Sequence, residues 1–308
     1  MRTLVVGAGA VGGYFGARLA RGGADVTLVA RGEHGRVIRE SGLRVQSPSG
    51  DFDVRVPVIE SIADARGFDL ALVAVKGAVL AAVARDLRPA LTEAGIALTV
   101  LNGLTSEDVL AASLGVARVV GGTALVGGER VAPGVVRHDA RGLIVVGEPW
   151  PPGAGHAERV ARFLGEHGVS AQVTSSLAEA KWWKMAWNCA WNSITAAWRC
   201  TVGEVGAREP LRVLAAEIVA EVAAVARAAG VALSPDIFAR LALQNSDIGH
   251  IRTSMLQDVE AGRPSENEDL CGEIVRRGRA LGVPTPACAR LHAAIAAIER
   301  AAATSASR

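Results

Sequence analysis

Residues 3–21 read TLVVGAGAVGGYFGARLAR, an apolar strand (Thr3–Val6) followed by the pattern G-x-G-x-x-G and then a helix. In this context Gly7 permits the tight turn, Gly9 lets the backbone approach a pyrophosphate, and Gly12 allows close packing of helix on strand. The helix N-terminus offers free N–H groups and a positive dipole end to phosphates. The stretch therefore predicts a dinucleotide-binding α/β domain. Its expected cofactor-binding loop comprises Gly7, Ala8, Gly9, Ala10, Val11 and Gly12.

Arg31 directly follows a second apolar strand, Asp25–Ala30. An acidic residue at this place accepts from the ribose 2′-hydroxyl of NAD, whereas an arginine accommodates the 2′-phosphate of NADP. Glu33, two residues further on, is the rival residue and would favour NAD. Because Arg31 lies closer to the strand end, the sequence favours NADP. The alternative interpretation is an exposed loop arginine with no role in binding.

Two further strands end in polar residues. Asp69–Val75 is a nearly continuous apolar run, typical of a strand buried on both faces, and it leads into Lys76. Ala97–Leu101 leads into Asn102. Because doubly wound sheets bind ligands beyond the carboxyl ends of their strands, Lys76 is placed to meet a phosphate or carboxylate, and Asn102 to bridge cofactor and substrate. The alternatives are a solvated turn lysine and a turn asparagine before a glycine.

The rest of this half predicts the completion of the sheet. Leu43–Gln46 and Phe52–Val58 predict a small hairpin or edge strands, Pro151-Pro152-Gly153 a turn, and Val169–Val173 a last strand. Short valine-rich strands separated by glycines, partly antiparallel, are predicted at Val119–Val120, Thr123–Val126, Val135–His138 and Leu143–Val146. Beyond them the chain becomes almost entirely helical. The predicted domains are therefore residues 1–174, a Rossmann-type doubly wound sheet, and residues 175–308, all helical.

Residues 177–198 read LAEAKWWKMAWNCAWNSITAAW and predict one helix of about six turns, because they contain no Gly or Pro. Lys184, Asn188 and Asn192 recur at four-residue steps and so form one polar row. A solvated face would not be lined with indoles, so we expect the row to line a cleft, where it could bind and protonate a carbonyl-containing acid. The alternative is a surface row on a helix whose tryptophans pack in the core. The tryptophans of the stretch are Trp182, Trp183, Trp187, Trp191 and Trp198.

More helices are predicted along the second half. They cover Glu209–Ala229, Pro235–Leu243, a segment from Ser265 to about Leu281, and Cys288–Arg300, with a frayed tail after it. Ser265 and Glu268 fit a capping box at the start of the third of these helices.

Composition sets outer bounds. A chain of 308 residues suggests two domains, and 50% hydrophobic with 21% charged residues permits a sizeable core. The net charge of +2 without a long basic run does not favour nucleic acid or an anionic membrane as a partner. The four cysteines lack metal-finger spacing, so we expect free thiols and no metal site. With no signal peptide and no apolar run long enough to span a membrane, the expectation is a cytoplasmic protein.

The motifs occur in an order that resembles the ketopantoate reductase (2-dehydropantoate 2-reductase) family. They are GAGAVGGYFGARLA, LVAR, LVAVKG, LNG, VAPGVVRH, KMAWNCAWNSITA, TSMLQDV and SEN. The resemblance extends from residue 1 to about residue 290, and K-x-x-x-N-x-x-x-N with S-M-L-Q-D is far more specific than the glycine pattern. It implies a Rossmann domain paired with an all-helical domain.

The resemblance also implies a role for each matching residue. Lys184 matches the family's general acid, and Glu266 an acid near the substrate hydroxyl or the lysine. Arg31 and Lys76 would meet the adenosine phosphate of NADPH, while Asn102 would lie near the nicotinamide and the substrate. The implied substrate-binding residues are Asn102, Lys184, Asn188, Asn192 and Ser254. From the residues alone, Ser254 could instead be a helix cap and Glu266 a first-turn acid at a helix dipole.

Two features depart from the family pattern. Cys271 precedes Gly272 where the family commonly has Asn-Gly, and the helix of Lys184 is unusually rich in tryptophan. These departures concern the choice of substrate and leave the hydride chemistry untouched. From the resemblance we expect NADPH-dependent reduction of 2-dehydropantoate to pantoate in pantothenate biosynthesis. The alternatives are reduction of a bulkier 2-keto acid selected by the tryptophans, or a non-catalytic NADP-binding sensor. The expected partner is a small-molecule 2-keto acid, and the apolar helices of the second half could bury a homodimer interface.

Overall fold

The computed structural model describes residues 1–150 and 154–306. The chain forms two compact units, one of residues 1–101 and 105–177, the other of residues 102–104 and 178–308. The turn predicted at Pro151-Pro152-Gly153 lies outside the described residues.

The first unit is built on one sheet. Its described strands are β1 (Thr3–Val6), β2 (Val26–Val29), β3 (Leu43–Gln46), β4 (Phe52–Val54), β5 (Val58–Ile59), β6 (Phe68–Val73), β7 (Leu91–Thr99), β8 (Val119–Ala132), β9 (Val135–Gly147) and β10 (Ser170–Val173). Its helices are α1 (Ala10–Arg21), α2 (Gly32–Ser41), α3 (Leu80–Ala90), α4 (Ser106–Leu114) and α5 (His156–Glu166). The strand order is β4-β3-β9-β8-β7-β6-β1-β2-β5, with β10 paired to β9.

The winding of the sheet changes direction at β1. This strand pairs in parallel with β2 on one side and with β6 on the other, and β7 and β8 continue the parallel series beyond β6. Ligands of such sheets bind at this switch point, beyond the carboxyl ends of the strands. The predicted Rossmann-type doubly wound sheet followed by helices is confirmed, and antiparallel β8–β9 and β3–β4 pairs make the sheet mixed.

Helices cover both faces of the parallel part, which explains the near-continuous apolar strands. Successive side chains of a strand point to opposite faces. Leu4 and Val6 accordingly belong to one apolar cluster, whereas Val5 belongs to the other, and each is at most 2% exposed. The strand that leads into the glycine loop is therefore anchored in two cores at once.

The prediction of four short strands between residues 117 and 147 is wrong. The structure has two long strands, β8 and β9, that pair in antiparallel register with three irregularities. The glycines read as breaks lie inside β8, where close contacts require them. A Cβ on Gly121 would lie 2.1 Å from Cδ2 of Leu177, and one on Gly128 would lie 2.6 Å from the Arg137 carbonyl oxygen.

The second unit is helical in its described residues. Its helices are α6 (Leu177–Trp187), α7 (Ser193–Trp198), α8 (Val202–Ala207), α9 (Glu209–Ala228), α10 (Ile237–Gln244), α11 (Ser254–Glu260), α12 (Glu273–Leu281) and α13 (Pro286–Ala306). Two wide turns of π-helix, Asn188–Asn192 and Glu268–Gly272, lead directly into α7 and α12.

Three helix predictions need correction. The six-turn helix is interrupted by the wide turn at Asn188–Asn192, so its polar row is not a simple α-helical row. The capping box is absent, because Ser265 Oγ accepts from the Asn267 N–H while the Glu268 carboxylate contacts His292 and Arg276. The last helix extends to Ala306, beyond the predicted end at Arg300.

The four cysteines are unbonded, buried thiols, as expected. In the described part of the chain, no helix combines the length and the apolar character that a membrane crossing requires.

Candidate active site

The glycine loop, residues 7–12, joins the end of β1 to the start of α1. Gly7 has φ of +97°, a left-handed conformation that favours glycine, and a Cβ there would lie 2.7 Å from the Ala74 carbonyl oxygen. A Cβ on Gly12 would lie 2.0 Å from the carbonyl oxygen of Gly7. A Cβ on Gly9, by contrast, would meet no atom within 4 Å. The chain's own packing thus requires Gly7 and Gly12, while Gly9 leaves open space at the N-terminus of α1.

Two exposed cations flank this loop along the carboxyl edge of the sheet. Arg31 follows β2 and is the N-cap of α2, and Lys76 follows β6. Both strands pair with β1, and neighbouring strands lie about 5 Å apart, so the two strand ends are roughly 10 Å from each other. Long side chains of like charge on either side of the loop form an anion-attracting edge.

Glu33, the rival to Arg31, is already engaged. Its carboxylate accepts two hydrogen bonds from the Arg36 guanidinium, at 2.8 Å from Nε and 2.6 Å from Nη2. These bonds lower the pKa of Glu33, so the carboxylate stays ionised and paired. Of the two candidates for the cofactor ribose, Glu33 is thus the one held by another side chain.

In the second unit, Lys184 is a half-buried ammonium on α6. Burial lowers its pKa from 10.5 to about 8, the Glu266 carboxylate acts in the opposite direction, and the nearby charge of Lys181 lowers it further. The lysine therefore remains mostly protonated at pH 7, yet gives up its proton more readily than a solvated lysine. These are properties of a general acid that works near neutral pH.

Lys181 was not predicted from the sequence as a site residue. It is 7% exposed and precedes Lys184 by three residues, so the two lysines share one face of α6. The signal was present in the sequence, since a residue three positions before the first member of a polar row extends that row. Few lysines are this deeply buried, which marks the face as unusual.

Asn188 and Asn192 occupy the wide turn and are each 3% exposed. The Asn192 Nδ2 donates to the Asn188 Oδ1 at 3.4 Å. The Asn188 Nδ2 has no hydrogen-bond partner among the described residues. Because an unsatisfied buried amide is costly, this donor calls for an acceptor from outside the protein.

Asn102 belongs to the second unit, where its amide meets the predicted acid. The Asn102 Nδ2 donates to Glu266 Oε2 at 2.7 Å. The side chain read from a strand end as a cofactor contact thus orients the carboxylate that also acts on the pKa of Lys184. The alternative interpretation, in which Glu266 only complements a helix dipole, does not account for this hydrogen bond.

Ser254 is exposed and is the first residue of α11. It is not the cap of that helix, because Thr253 Oγ1 accepts from the Leu256 N–H at 3.3 Å. The Thr253 hydroxyl also contacts the Thr195 hydroxyl of α7 at 2.7 Å. This contact ties the start of α11 to the helical run of the polar row and leaves the Ser254 hydroxyl available to a ligand.

The tryptophans divide into three groups. Trp187 stacks on Trp191 and Trp191 on Phe238, with ring centroids 6.0 and 6.1 Å apart, and the Trp187 indole N–H donates to Asn245 Oδ1 at 2.8 Å. Together with Trp183 they recur at four-residue steps, one position before each member of the polar row. Trp182 is buried elsewhere, and Trp198 is 47% exposed. The expectation of an indole-lined row therefore holds for one flank only.

The described residues were also compared with the side-chain groupings that bind metal ions. Among them, no group of three or more His, Cys, Asp or Glu side chains is arranged to hold a metal ion. The first unit presents unobstructed backbone at Gly9 beside two exposed cations, and the second presents an ammonium with amides and a hydroxyl.

Comparison with known proteins agrees with this chemistry. The model of the family "Ketopantoate reductase PanE/ApbA" matches residues 3–150, and that of "Ketopantoate reductase PanE/ApbA C terminal" matches residues 176–299. A 2-dehydropantoate 2-reductase of Halobacterium salinarum is 33% identical over 93% of this chain and 95% of its own length.

Solved structures have the same fold. The 2-dehydropantoate 2-reductase of Geobacter metallireducens superposes with a TM-score of 0.91 at 32% identity, over 96% of this chain and 99% of that one. A D-mandelate dehydrogenase solved with NADH and anilino(oxo)acetate gives 0.92 at 24% identity, over 97% and 99% of the two chains, a likeness of fold alone. With both family models matched in sequence order, the chain belongs to the ketopantoate reductase family and is an oxidoreductase that acts on a keto group.

Proposed function

We propose that the protein reduces 2-dehydropantoate to pantoate with NADPH, on the route to pantothenate. The observation that carries the proposal is the environment of Lys184, a half-buried ammonium with a pKa of about 8 beside the Glu266 carboxylate. Relatives named 2-dehydropantoate 2-reductase at 28–33% identity support the substrate.

The first unit is proposed to bind the dinucleotide. Its glycine loop fits a pyrophosphate, because the backbone at Gly9 is unobstructed at a helix N-terminus. Arg31 and Lys76 are proposed to hold the 2′-phosphate, and the pairing of Glu33 with Arg36 favours NADPH over NADH. When bound, the nicotinamide supplies the hydride for the ketone carbon.

The second unit is proposed to bind and protonate the keto acid. As negative charge develops on the ketone oxygen, the Lys184 ammonium stabilises it and donates a proton. Glu266, oriented by Asn102, keeps the lysine charged at neutral pH. The remaining substrate contacts are assigned to three side chains: Asn188, whose Nδ2 has no hydrogen-bond partner among the described residues, Asn192 and Ser254.

Consumption of NADPH by the purified protein tests this assignment. Ketopantoate is offered beside a branched and an aromatic 2-keto acid, to the wild type and to Lys184→Ala and Lys184→Arg. We expect ketopantoate turnover that falls by a factor of about 10² to 10⁴ in Lys184→Ala. Arginine keeps the charge but holds its proton too tightly, so Lys184→Arg should bind substrate and still turn over slowly. Undiminished turnover in either variant would remove Lys184 from the chemistry.

A bulkier 2-keto acid is the second candidate substrate, and the stacked tryptophan flank beside the polar row favours it. Trp187→Ala should then lower turnover of the aromatic acid relative to ketopantoate. Trp198→Ala, on an exposed tryptophan of the same helical run, is the matched control and should change neither. Tight NADPH binding without turnover of any acid would instead favour the sensor.

A further inference from the structure

His34 lies on α2, three residues after Arg31, and is only 7% exposed. Its Nε2 is 2.7 Å from the carbonyl oxygen of Ala8 in the glycine loop. Its Nδ1 accepts from the Gly134 N–H at 2.9 Å. One imidazole thus links three segments of the first unit: α2, the glycine loop and the turn between β8 and β9.

These two bonds fix the protonation state of the ring. Because the Gly134 N–H is a donor, Nδ1 carries no proton. Nε2 must then carry the proton and donate it to the Ala8 carbonyl. The ring is therefore neutral and in a single tautomer, and a second proton on Nδ1 would oppose the Gly134 N–H directly.

The bond to Ala8 has a consequence for the loop. In a trans peptide the C=O and the N–H lie in one plane and point in opposite directions. Holding the Ala8 carbonyl towards His34 therefore turns the Gly9 N–H to the other side, away from the imidazole. Gly9 is the residue whose surroundings are open, at the N-terminus of α1.

We propose that His34 is a positioning residue for the dinucleotide, and that its neutral ring holds the Ala8–Gly9 peptide and the start of α2 in their binding arrangement. This inference rests on the dinucleotide binding proposed above. It also gives a role to Gly134 in the segment VAPGVVRH (residues 131–138). Gly134 of that motif supplies the donor to the ring, and a Cβ there would lie 2.5 Å from Cγ1 of Val37.

Burial of the ring, more than the charges around it, disfavours its protonation. Burial lowers the pKa of His34 below its usual 6.5, the Ala8 carbonyl acts in the opposite direction, and the Arg130 charge on β8 lowers it further. On α2 itself, Glu33 and Arg36 are paired with each other, and β5, which packs on α2, contributes only Val58 and Ile59. Protonation of His34, and with it loss of the Gly134 bond, therefore requires a lower pH than protonation of an ordinary histidine.

Two substitutions separate the two bonds. His34→Gln can place an amide donor near the position of Nε2, and His34→Asn can place an acceptor near that of Nδ1. Neither titrates. The dissociation constants of NADPH and NADH are measured for both variants and the wild type between pH 8 and pH 5. His250→Gln, which replaces an exposed histidine, is the matched control.

At pH 8 we expect His34→Asn, which loses the Ala8 bond, to bind NADPH about tenfold more weakly than the wild type, the effect of one lost hydrogen bond. The wild type and His250→Gln should lose affinity as the pH falls below the ordinary histidine pKa of 6.5, because burial lowers the pKa of His34. The two His34 variants carry no imidazole at this position and should lack that loss. The acid-dependent loss of affinity, present in the wild type and absent in the His34 variants, must also be seen with NADH, because NADH lacks the 2′-phosphate that titrates in this range.

Equal affinities and equal acid dependence in all four proteins would overturn the proposal. If the variants do not fold, the ¹⁵N spectrum of the wild-type His34 imidazole tests the proposal instead. An Nδ1–H tautomer at pH 8 would refute the proposed role of His34. So would a loss of NADH affinity in acid that is not accompanied by titration of His34. Failure of the wild type to bind either dinucleotide would overturn the cofactor assignment together with this inference. Binding without ketopantoate turnover would overturn only the substrate.

Discussion

Replacing Lys184 by methionine should remove activity and stabilise the fold at neutral pH. Methionine has similar length and no charge, so the substitution tests the cost of keeping an ammonium half-buried on α6. The pKa falls from 10.5 to about 8 on folding, a difference of about 2.5 units. At about 1.4 kcal/mol per unit, the folded state then disfavours the charged lysine by up to about 3 kcal/mol.

The sign of the pH dependence follows from proton binding. Between pH 8 and pH 10.5 the unfolded chain holds the lysine proton more tightly than the folded chain, so the free energy of unfolding rises with pH. The charge penalty is therefore fully present below pH 8 and fades as pH approaches 10.5. Lys184→Met should be more stable than the wild type by up to about 3 kcal/mol at pH 7, and by only about 1 kcal/mol at pH 10.

Urea unfolding of both proteins at pH 7 and pH 10 measures this difference, and the titrating groups that do not interact with Lys184 cancel between the two proteins. The pKa of about 8 already includes the attraction of the Glu266 carboxylate, so the figure of about 3 kcal/mol is net of that attraction. The double variant Lys184→Met with Glu266→Gln removes both charges and should be at least as stable at pH 7 as Lys184→Met. A stability difference that is the same at both pH values, or a loss of stability at pH 7 in the double variant, would refute the reasoning.

Three further substitutions test the site. Arg31→Ala should raise the KM for NADPH about tenfold or more and leave that for NADH unchanged, and equal effects on both would remove Arg31 from the 2′-phosphate. Glu266→Gln removes the negative charge that raises the pKa of Lys184, so the alkaline fall of kcat should move to lower pH; an unmoved limb would contradict this. Gly12→Ala should cost about 1–3 kcal/mol in the free energy of unfolding, because its Cβ would lie 2.0 Å from a backbone oxygen. Gly9→Ala is its control, since it should leave stability almost unchanged and weaken only NADPH binding, measured by titration.

The part of the fold that local rules govern was predictable. The strand, glycine loop and helix at residues 3–21 follow from a pattern in which each glycine has a steric reason. The long β8–β9 pair was not predictable, because glycine is ordinarily a turn signal. Glycine is needed inside β8 because of close contacts with Leu177, which is remote in sequence, and with Arg137 on the neighbouring strand β9.

The candidate site divides in the same way. The row of Lys184, Asn188 and Asn192 was visible as a four-residue spacing, although the wide turn that carries the two amides was not. The bond between Asn102 and Glu266 joins residues 164 positions apart, and no local pattern encodes it. Sequence spacing reveals which residues share an element, whereas the partner of a carboxylate depends on how remote elements pack.

Cys271, the departure from the family's Asn-Gly, has a packing explanation. It lies in the wide turn Glu268–Gly272, and its thiol donates to the Cys189 carbonyl at 3.6 Å and contacts Ser193 Oγ at 3.3 Å. Cys189 belongs to the other wide turn, where i→i+5 bonding replaces the α-helical pattern. An asparagine buried here would need partners for both ends of its amide, whereas a thiol is a small apolar group with one weak donor. The substitution therefore acts on the contact between the two wide turns and removes no donor from the polar row, which leaves the chemistry proposed for Lys184 intact.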